Sequence, residues 1–356
     1  SLVSAFGDAG TPTMDAITGH VHRDVDVLIL YPMNLVAAEE RFGNWITQYA
    51  YCNYITAEKL LEVGKITPDG KIDVAGRKFS TLISLFEITP AKGLLNFIDS
   101  FNKAGGKLLW FGTPPLLEGD GNNCLDKWEN IFGVDYQPSV WMGQEAAGKI
   151  VSFENKFKSV PSQVILTDFI VDRIHPISLR QDVQLTATID GMSVGSIRNN
   201  GKGIACYFGF RPRDDQSSSL GYESRTLFEI LNAAGAYPAT GKFTDTNDNT
   251  EYVSRTTNYL TTRFPNGTTA IVTHYRTHRE DWADGFSRDD AADSIALLTN
   301  PMPSDTMILD HFKVNGHEIN YEGKQLCAFN LDSKGKLISF EGHQCDRVEI
   351  DKNFYL

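Results

Sequence analysis

Apolar positions in the first third of the chain gather into short runs, and towards the end they loosen into alternation. DVDVLILYP (Asp24–Pro32), STLISLF (Ser80–Phe86) and KLLWFGTPP (Lys107–Pro115) are bounded by polar or turn residues, which is the pattern of strands buried on both faces. Between the first two, Leu35 to Ile66 has helical spacing of Ala, Phe, Trp and Leu with a break near Asn53. ITAEKLLEVG is predicted as a separate helix, capped by Thr56 and closed at Gly64. TPDGKIDVAGRKFS reads as a turn, a short extended piece and a second turn. AKGLLNFIDSFNKAGG (Ala91–Gly106) is amphipathic and ends on glycines. Buried strands alternating with helices predict a parallel sheet with crossover connections.

After Pro115 the pattern changes. A short helix is expected around Leu125–Ile131. Asp182–Phe210 then holds three strands joined by turns at Asp190-Gly191 and Gly201–Gly203, the chemistry of hairpins. A helix over Glu223–Gly235 completes the first domain. Pro238–Tyr252 is polar and without period, and reads as a linker. Beyond it VSRTTNYLTTRF, TTAIVTHYR, DSIALLT, TMILDHFKVNG, KQLCAFNLDSKGKLISFEG and DRVEIDKNFYL are strands at regular spacing, as in a sandwich of roughly 100 residues. The expected organisation is a lead-in at 1–23, an α/β domain at 24–237, a linker at 238–252 and an all-β sandwich at 253–356.

Length supports the division, since 356 residues exceed one ordinary core. With 41% hydrophobic residues and a net charge of −12, the chain has material for folding and no basic surplus for nucleic acid or an anionic membrane. No apolar run reaches the roughly 20 residues that span a bilayer, and Ser1–Gly10 lacks the charged start and apolar core of a signal peptide. The expectation is a soluble protein, cytoplasmic or exported with its signal removed. Its five cysteines, Cys52, Cys124, Cys206, Cys327 and Cys345, are scattered and give no disulfide framework. Cys206 reads as core filling, and Cys327 and Cys345 could pair in an oxidising compartment.

The order TMDAITGHVHRDVDVLILYP, NYITAEKLLEVGKI, DGKIDVAGRKFSTLISL and LLNFIDSFNKAGGKLLWFGTPP resembles the amidotransferase-like, β-galactosidase trimerisation-like domain that follows the catalytic barrel in large glycoside hydrolases, including rhamnosidase-like enzymes. The tail LCAFNLDSKGKLISFEGHQCDRVEIDKNFYL is similar to the β domain that can follow it. The resemblance implies a flavodoxin-like, class I glutamine amidotransferase-type fold, carbohydrate as partner, subunit contacts, and docking on a (β/α)₈ barrel. It implies no cofactor. This chain has no eightfold βα pattern of its own.

Amidotransferase-like and hydrolase-like relatives of such a fold place a nucleophile on a sharp strand-to-helix elbow. Here the turn after the third strand is Gly112-Thr113-Pro114-Pro115, with neither Cys nor Ser, and its two prolines oppose an immediate helix interior. No catalytic residue is therefore assigned. Ligands in open α/β sheets bind beyond the carboxyl ends of the strands, where this chain offers Asn34, Glu87, Thr113 and Arg211 as partners for sugar hydroxyls or a carboxylate. The same residues could serve as helix caps and loop ties. The acidic loop HREDWADGFSRDDAAD offers Trp282 for stacking on a sugar, or serves as a contact between domains or subunits; Asp281, Asp284 and Asp289 lack the spacing of an EF-hand. His20, His22, His274 and His278 read as surface or packing histidines, because His274 and His278 would lie about 13 Å apart along a strand. Asn266 begins an N-glycosylation sequon that matters only in a secretory setting. Trp45, Tyr49, Tyr51, Tyr54, Trp110 and Trp141 exceed what a small sheet must bury. With Trp110 assigned to the core, Trp45 and Trp141 are the candidates for an interface.

Overall fold

A computed structural model describes residues 26–38, 52–138, 141–142, 145–165, 172–212, 226–245, 250–255, 259–273, 306–314 and 316–355. It divides into two compact units, Asp26–Ala236 and a second containing Tyr237–Leu356. Among the described residues no helix is long and apolar enough to cross a membrane.

In the first unit β1 (Val27–Leu30) leads into the short helix α1 (Met33–Ala38), and β2 (Asn53–Ile55) into α2 (Ala57–Val63). Thr56 caps α2, its Oγ1 accepting from Lys59 N at 3.2 Å, which satisfies one of the amides a helix start leaves open. Strands β3 (Lys65–Ile66), β4 (Ile72–Val74) and β5 (Arg77–Phe79) make a small antiparallel sheet. Then come β6 (Thr81–Leu85), α3 (Leu94–Ala104), β7 (Lys107–Phe111) and α4 (Leu125–Phe132). Short strands follow: β8 (Val134–Tyr136), β9 (Trp141–Met142), β10 (Ile150–Phe153), β11 (Gln163–Val164), β12 (Arg173–Ile174) and β13 (Ile177–Leu179). β14 (Gln184–Ile189), β15 (Met192–Asn200), β16 (Gly203–Phe208) and α5 (Thr226–Ala234) complete the unit.

Nine of these strands form one sheet in the order β11-β10-β14-β15-β16-β7-β6-β1-β2. The five from β16 to β2 are mutually parallel, and the hairpins β14–β15–β16 extend the sheet antiparallel. Register explains the apolar runs. Leu28, Leu82, Leu108 and Ala205 form one row across the sheet, and Ile29, Ile83, Leu109 and Cys206 the next. Successive rows face opposite sides, and all eight residues are buried. One face is covered by Leu94, Leu95, Ile98 and Phe101 of α3 and by Trp128, Ile131 and Phe132 of α4, each fully buried side chain contributing about 1.5–3 kcal/mol. On the other face Phe208 stacks on Phe111 at 5.2 Å and meets Phe157 edge-on at 5.3 Å.

Asn53–Ile55, which the sequence shows only as a break between helices, is the edge strand beside β1. The chain leaves β1 towards β2 and returns to β6 on β1's other side, so the order reverses between β1 and β6.

The second unit corrects one expectation. The presumed linker 238–252 contains β17 (Ala239–Asp245) and the start of β18 (Thr250–Arg255), paired to each other and, through β17, to β21 (Thr306–Val314). A polar, Thr-rich stretch without apolar period suits a strand with an exposed face as well as it suits a linker. With β19 (Tyr259–Arg263), β20 (Thr269–Thr273), β22 (His317–Leu331), β23 (Leu337–Ile350) and β24 (Asn353–Phe354), the described strands join in one branched sheet. The long β22 makes the branch: its first half pairs β21, its last residues pair β20, and β23 lies along its other edge. Phe312, Ile319, Tyr321, Phe329, Val348 and Ile350 form its buried core.

Candidate functional site

At the reversal between β1 and β6 lies a pocket of about 360 Å³, lined by Tyr31, Asn34, Glu58, Phe86 and Glu87 together with apolar neighbours such as Leu35. Open α/β sheets collect ligands at this position because the two crossovers leave in opposite directions and open a crevice. Asn34 and Glu87, both expected at strand ends, are brought together here.

Phe86 builds the pocket floor through an unusual backbone. Its φ is 62°, a left-handed conformation that a bulky residue seldom adopts. Its amide is held by Phe111 O at 3.2 Å, and Ile88 N donates to Phe86 O at 3.0 Å in a tight turn. Consecutive residues of a regular strand face opposite sides; this kink lets Phe86 and Glu87 line the same pocket. Glu87 is 7% exposed, and among the described residues its carboxyl makes no hydrogen bond or ion pair. Burial first, then the negative Glu58 nearby, pushes its pKa up to about 8. At neutral pH it is mainly a carboxylic acid, able to donate as well as accept. Sequence could place Glu87 as the first polar residue after a buried run, but nothing in it marks Phe86 as left-handed.

The elbow after β7 lies next to this floor. Gly112 has φ 81°, and a Cβ built on it would stand 2.4 Å from Cε1 of Phe86. Thr113 follows, its Oγ1 3.1 Å from Nε2 of His175. His175 is buried and its Nδ1 has no hydrogen-bond partner. Burial, then Arg173, pulls its pKa down to about 4, so the ring is neutral at physiological pH. A hydroxyl beside a weakly basic imidazole that no acceptor orients lacks the third member of a nucleophilic triad. His175 is not among the residues the sequence singles out.

Arg211 does not point a free guanidinium at a ligand. Its Nε and Nη2 donate to Oδ1 and Oδ2 of Asp172 at 2.6 and 2.9 Å, both side chains buried, and its carbonyl accepts from Gln163 Nε2 at 2.9 Å. A bidentate pair of this kind fixes two loop ends against each other. Trp141 is half-buried beneath Lys149, whose Nζ lies 4.3 Å from the ring centroid. Trp45, Trp282, His20, His22, His274 and His278 lie outside the described residues. Cys206 is fully buried with its thiol pushed up to about 12, and Cys124 is raised to about 11, burial being the main cause for both. Cys327 and Cys345 are free thiols. Among the described residues no group of three His, Cys, Asp or Glu could hold a metal ion.

No family model matches this chain and no curated protein does. Among solved structures it is similar to a β-galactosidase from Bacillus circulans sp. alkalophilus, at 11% identity and TM-score 0.46 over 74% of this chain and 37% of that one. A β-galactosidase from Rahnella sp. R3 matches at 11% identity and TM-score 0.45, over 89% of this chain and 41% of the other. A cytoplasmic protein from Salmonella typhimurium matches at 13% identity and TM-score 0.34, over 56% of this chain and 85% of its own. The chain thus spans about two fifths of the length of the two β-galactosidases.

Proposed function

We propose that this chain is a non-catalytic accessory region of a carbohydrate-active enzyme of the glycoside hydrolase type, which shapes or assembles a sugar-processing site. The observation that carries this reading is the elbow. A nucleophile at position 112 needs a Cβ, and the space for one is taken by the ring of Phe86. The parallel order β2-β1-β6-β7-β16 supports a flavodoxin-like, amidotransferase-type unit, in keeping with the sequence resemblance. The neighbouring thiol, Cys206, is too buried to replace the missing group. In this reading the partner is a catalytic (β/α)₈ barrel or a second copy of the chain, and Trp45 and Trp141 belong to the contact. A stand-alone carbohydrate-binding protein is the second reading, favoured by the pocket between β1 and β6.

Purified chain, assayed for glutamine hydrolysis and against a panel of chromogenic glycosides, is expected to show neither activity, and light scattering is expected to show an oligomer. Turnover that survives repurification ends the accessory reading. A strictly monomeric chain whose size and barrel affinity ignore Trp45→Ala with Trp141→Ala moves the binding reading ahead.

A further inference from the structure

We infer that the pocket between β1 and β6 binds a small, uncharged, hydroxyl-bearing ligand, with Glu87 and Asn34 as its polar contacts. Naming a sugar as that ligand rests on the reading above; the uncharged class rests on the pocket alone.

Three observations lead there. First, Glu87 is more than nine-tenths buried, lines the pocket and has no partner among the described residues. Its carboxyl oxygens are not among the sealed-off unpaired atoms, so they reach the pocket, where a ligand oxygen can bond to them. Second, among the described residues no Lys, Arg or His lines the pocket, while Glu58 and Glu87 both do. Phosphates, carboxylates and nucleotides would meet the negative Glu58 there and no countercharge among the described residues. Third, the remaining lining is Tyr31, Thr89 and apolar side chains such as Leu35 and Ile88, which suits a ligand with one apolar face and an edge of hydroxyls. The volume of about 360 Å³ lies at the small end of ligand pockets, the size of a mono- or disaccharide.

Protonation separates this ligand from a cation. The groups facing Glu87 are Glu58 from α2 and Tyr31 after β1, neither of which supplies positive charge. A ligand oxygen that accepts a hydrogen bond from the Glu87 acid binds that form alone, so the affinity it carries is constant below pH 8 and falls by up to about tenfold per pH unit above it. An ammonium ligand binds the carboxylate, expels its proton, and tightens as pH rises towards 8.

The test uses the whole chain and three charge forms of one ring, galactose, galactosamine and galacturonate, with glucose and glycerol as further uncharged probes. Binding is followed by amide NMR shifts at Glu87 and Ile88 between pH 6 and pH 9, a range chosen to bracket the value of about 8 for Glu87. The expected result is saturable binding of an uncharged probe, none of galacturonate, and loss of affinity above pH 8. Glu87→Gln keeps a donor and is expected to bind with no pH dependence. Glu87→Leu should weaken binding about tenfold, and the exposed Asn34→Ala about fivefold. If Glu87→Leu fails to fold, Asn34→Ala and the pH profile decide. No saturable binding of any uncharged probe, tighter binding of galactosamine as pH rises, or equal binding of galacturonate overturns the inference and leaves the accessory reading standing. That reading falls on a different result, turnover of a glycoside by the chain itself.

Discussion

The ring of Phe86 stands where residue 112 would place a Cβ, its Cε1 2.4 Å from that point, and Gly112 itself holds φ 81°. Two separate barriers therefore guard the elbow. A side chain at 112 must accept a left-handed backbone, costing about 1–2 kcal/mol, and must displace a ring packed at 0% exposure, costing about 1–3 kcal/mol more. Gly112→Ala and Gly112→Cys are expected to lower unfolding free energy by about 2–4 kcal/mol in denaturant titrations. The two sites are coupled: Phe86→Ala should cost at least about 1 kcal/mol less in the Gly112→Cys background than in the natural chain. Strict additivity would mean that the ring does not fill the elbow.

Two buried titratable groups give the first unit an asymmetric response to pH. Glu87 rises from 4.5 to about 8 in the folded chain. The unfolded carboxyl ionises first, the folded state holds more protons in between, and stability is lost as pH climbs through this window, in total on the order of 5 kcal/mol. His175 falls from 6.5 to about 4. Here the unfolded state holds more protons, so stability present above pH 6.5 is lost on acidification towards 4, on the order of 3 kcal/mol. Between about pH 4.5 and 6.5 the two slopes oppose each other and nearly cancel, leaving a plateau with a fall on either side. Thermal melts across this range should trace that shape. Glu87→Gln should remove the alkaline fall and leave the acid one; a natural chain equally stable at pH 6.5 and 8 contradicts the assignment.

What could be read from sequence follows from burial. β1, β6 and β7 are covered on both faces, so each is an unbroken apolar run, and helices between them imply parallel pairing. β2 escaped because an edge strand of three residues, Asn53–Ile55, is only partly buried and sits between two stretches of helical spacing. β17 escaped because Thr, Asp, Asn and Gly dominate PATGKFTDTNDNT and, apart from Thr, these residues are depleted in strands. At the site, Asn34 and Glu87 were legible as the polar residues where buried runs end. Phe86, Tyr31 and His175 were not. Their roles depend on a backbone angle, a crevice and a burial depth that arise only when distant strands meet.

Arg211 offers a test of structure rather than of ligand binding. Its guanidinium and the Asp172 carboxylate are both buried and doubly hydrogen-bonded. Removing one partner takes a buried bidentate ion pair from the other, which costs about 3–5 kcal/mol. Arg211→Met or Asp172→Asn alone should therefore be strongly destabilising, whereas Arg211→Met with Asp172→Leu should recover most of the loss. If Arg211→Ala abolished sugar binding while stability stayed unchanged, the guanidinium would belong to a ligand site instead.

The thiols give a final discrimination, because reactivity follows the thiolate and its exposure. Cys206 sits in the row with Ile29, Ile83 and Leu109, wholly buried and raised to about 12. Cys124 is buried and raised to about 11, its Sγ 3.6 Å from Pro115 O. Cys345 is the partly exposed one among the five, although burial raises its thiol as well. In the native chain iodoacetamide is expected to modify Cys345 first. Cys206 should react only after unfolding, at the rate of global opening. A mass-spectrometric time course resolves the sites, and Cys206→Ala should leave the early phase untouched. Rapid alkylation of Cys206 in the folded protein would place that thiol at an open, activated site, and the elbow would then have to be reconsidered as chemistry rather than scaffold.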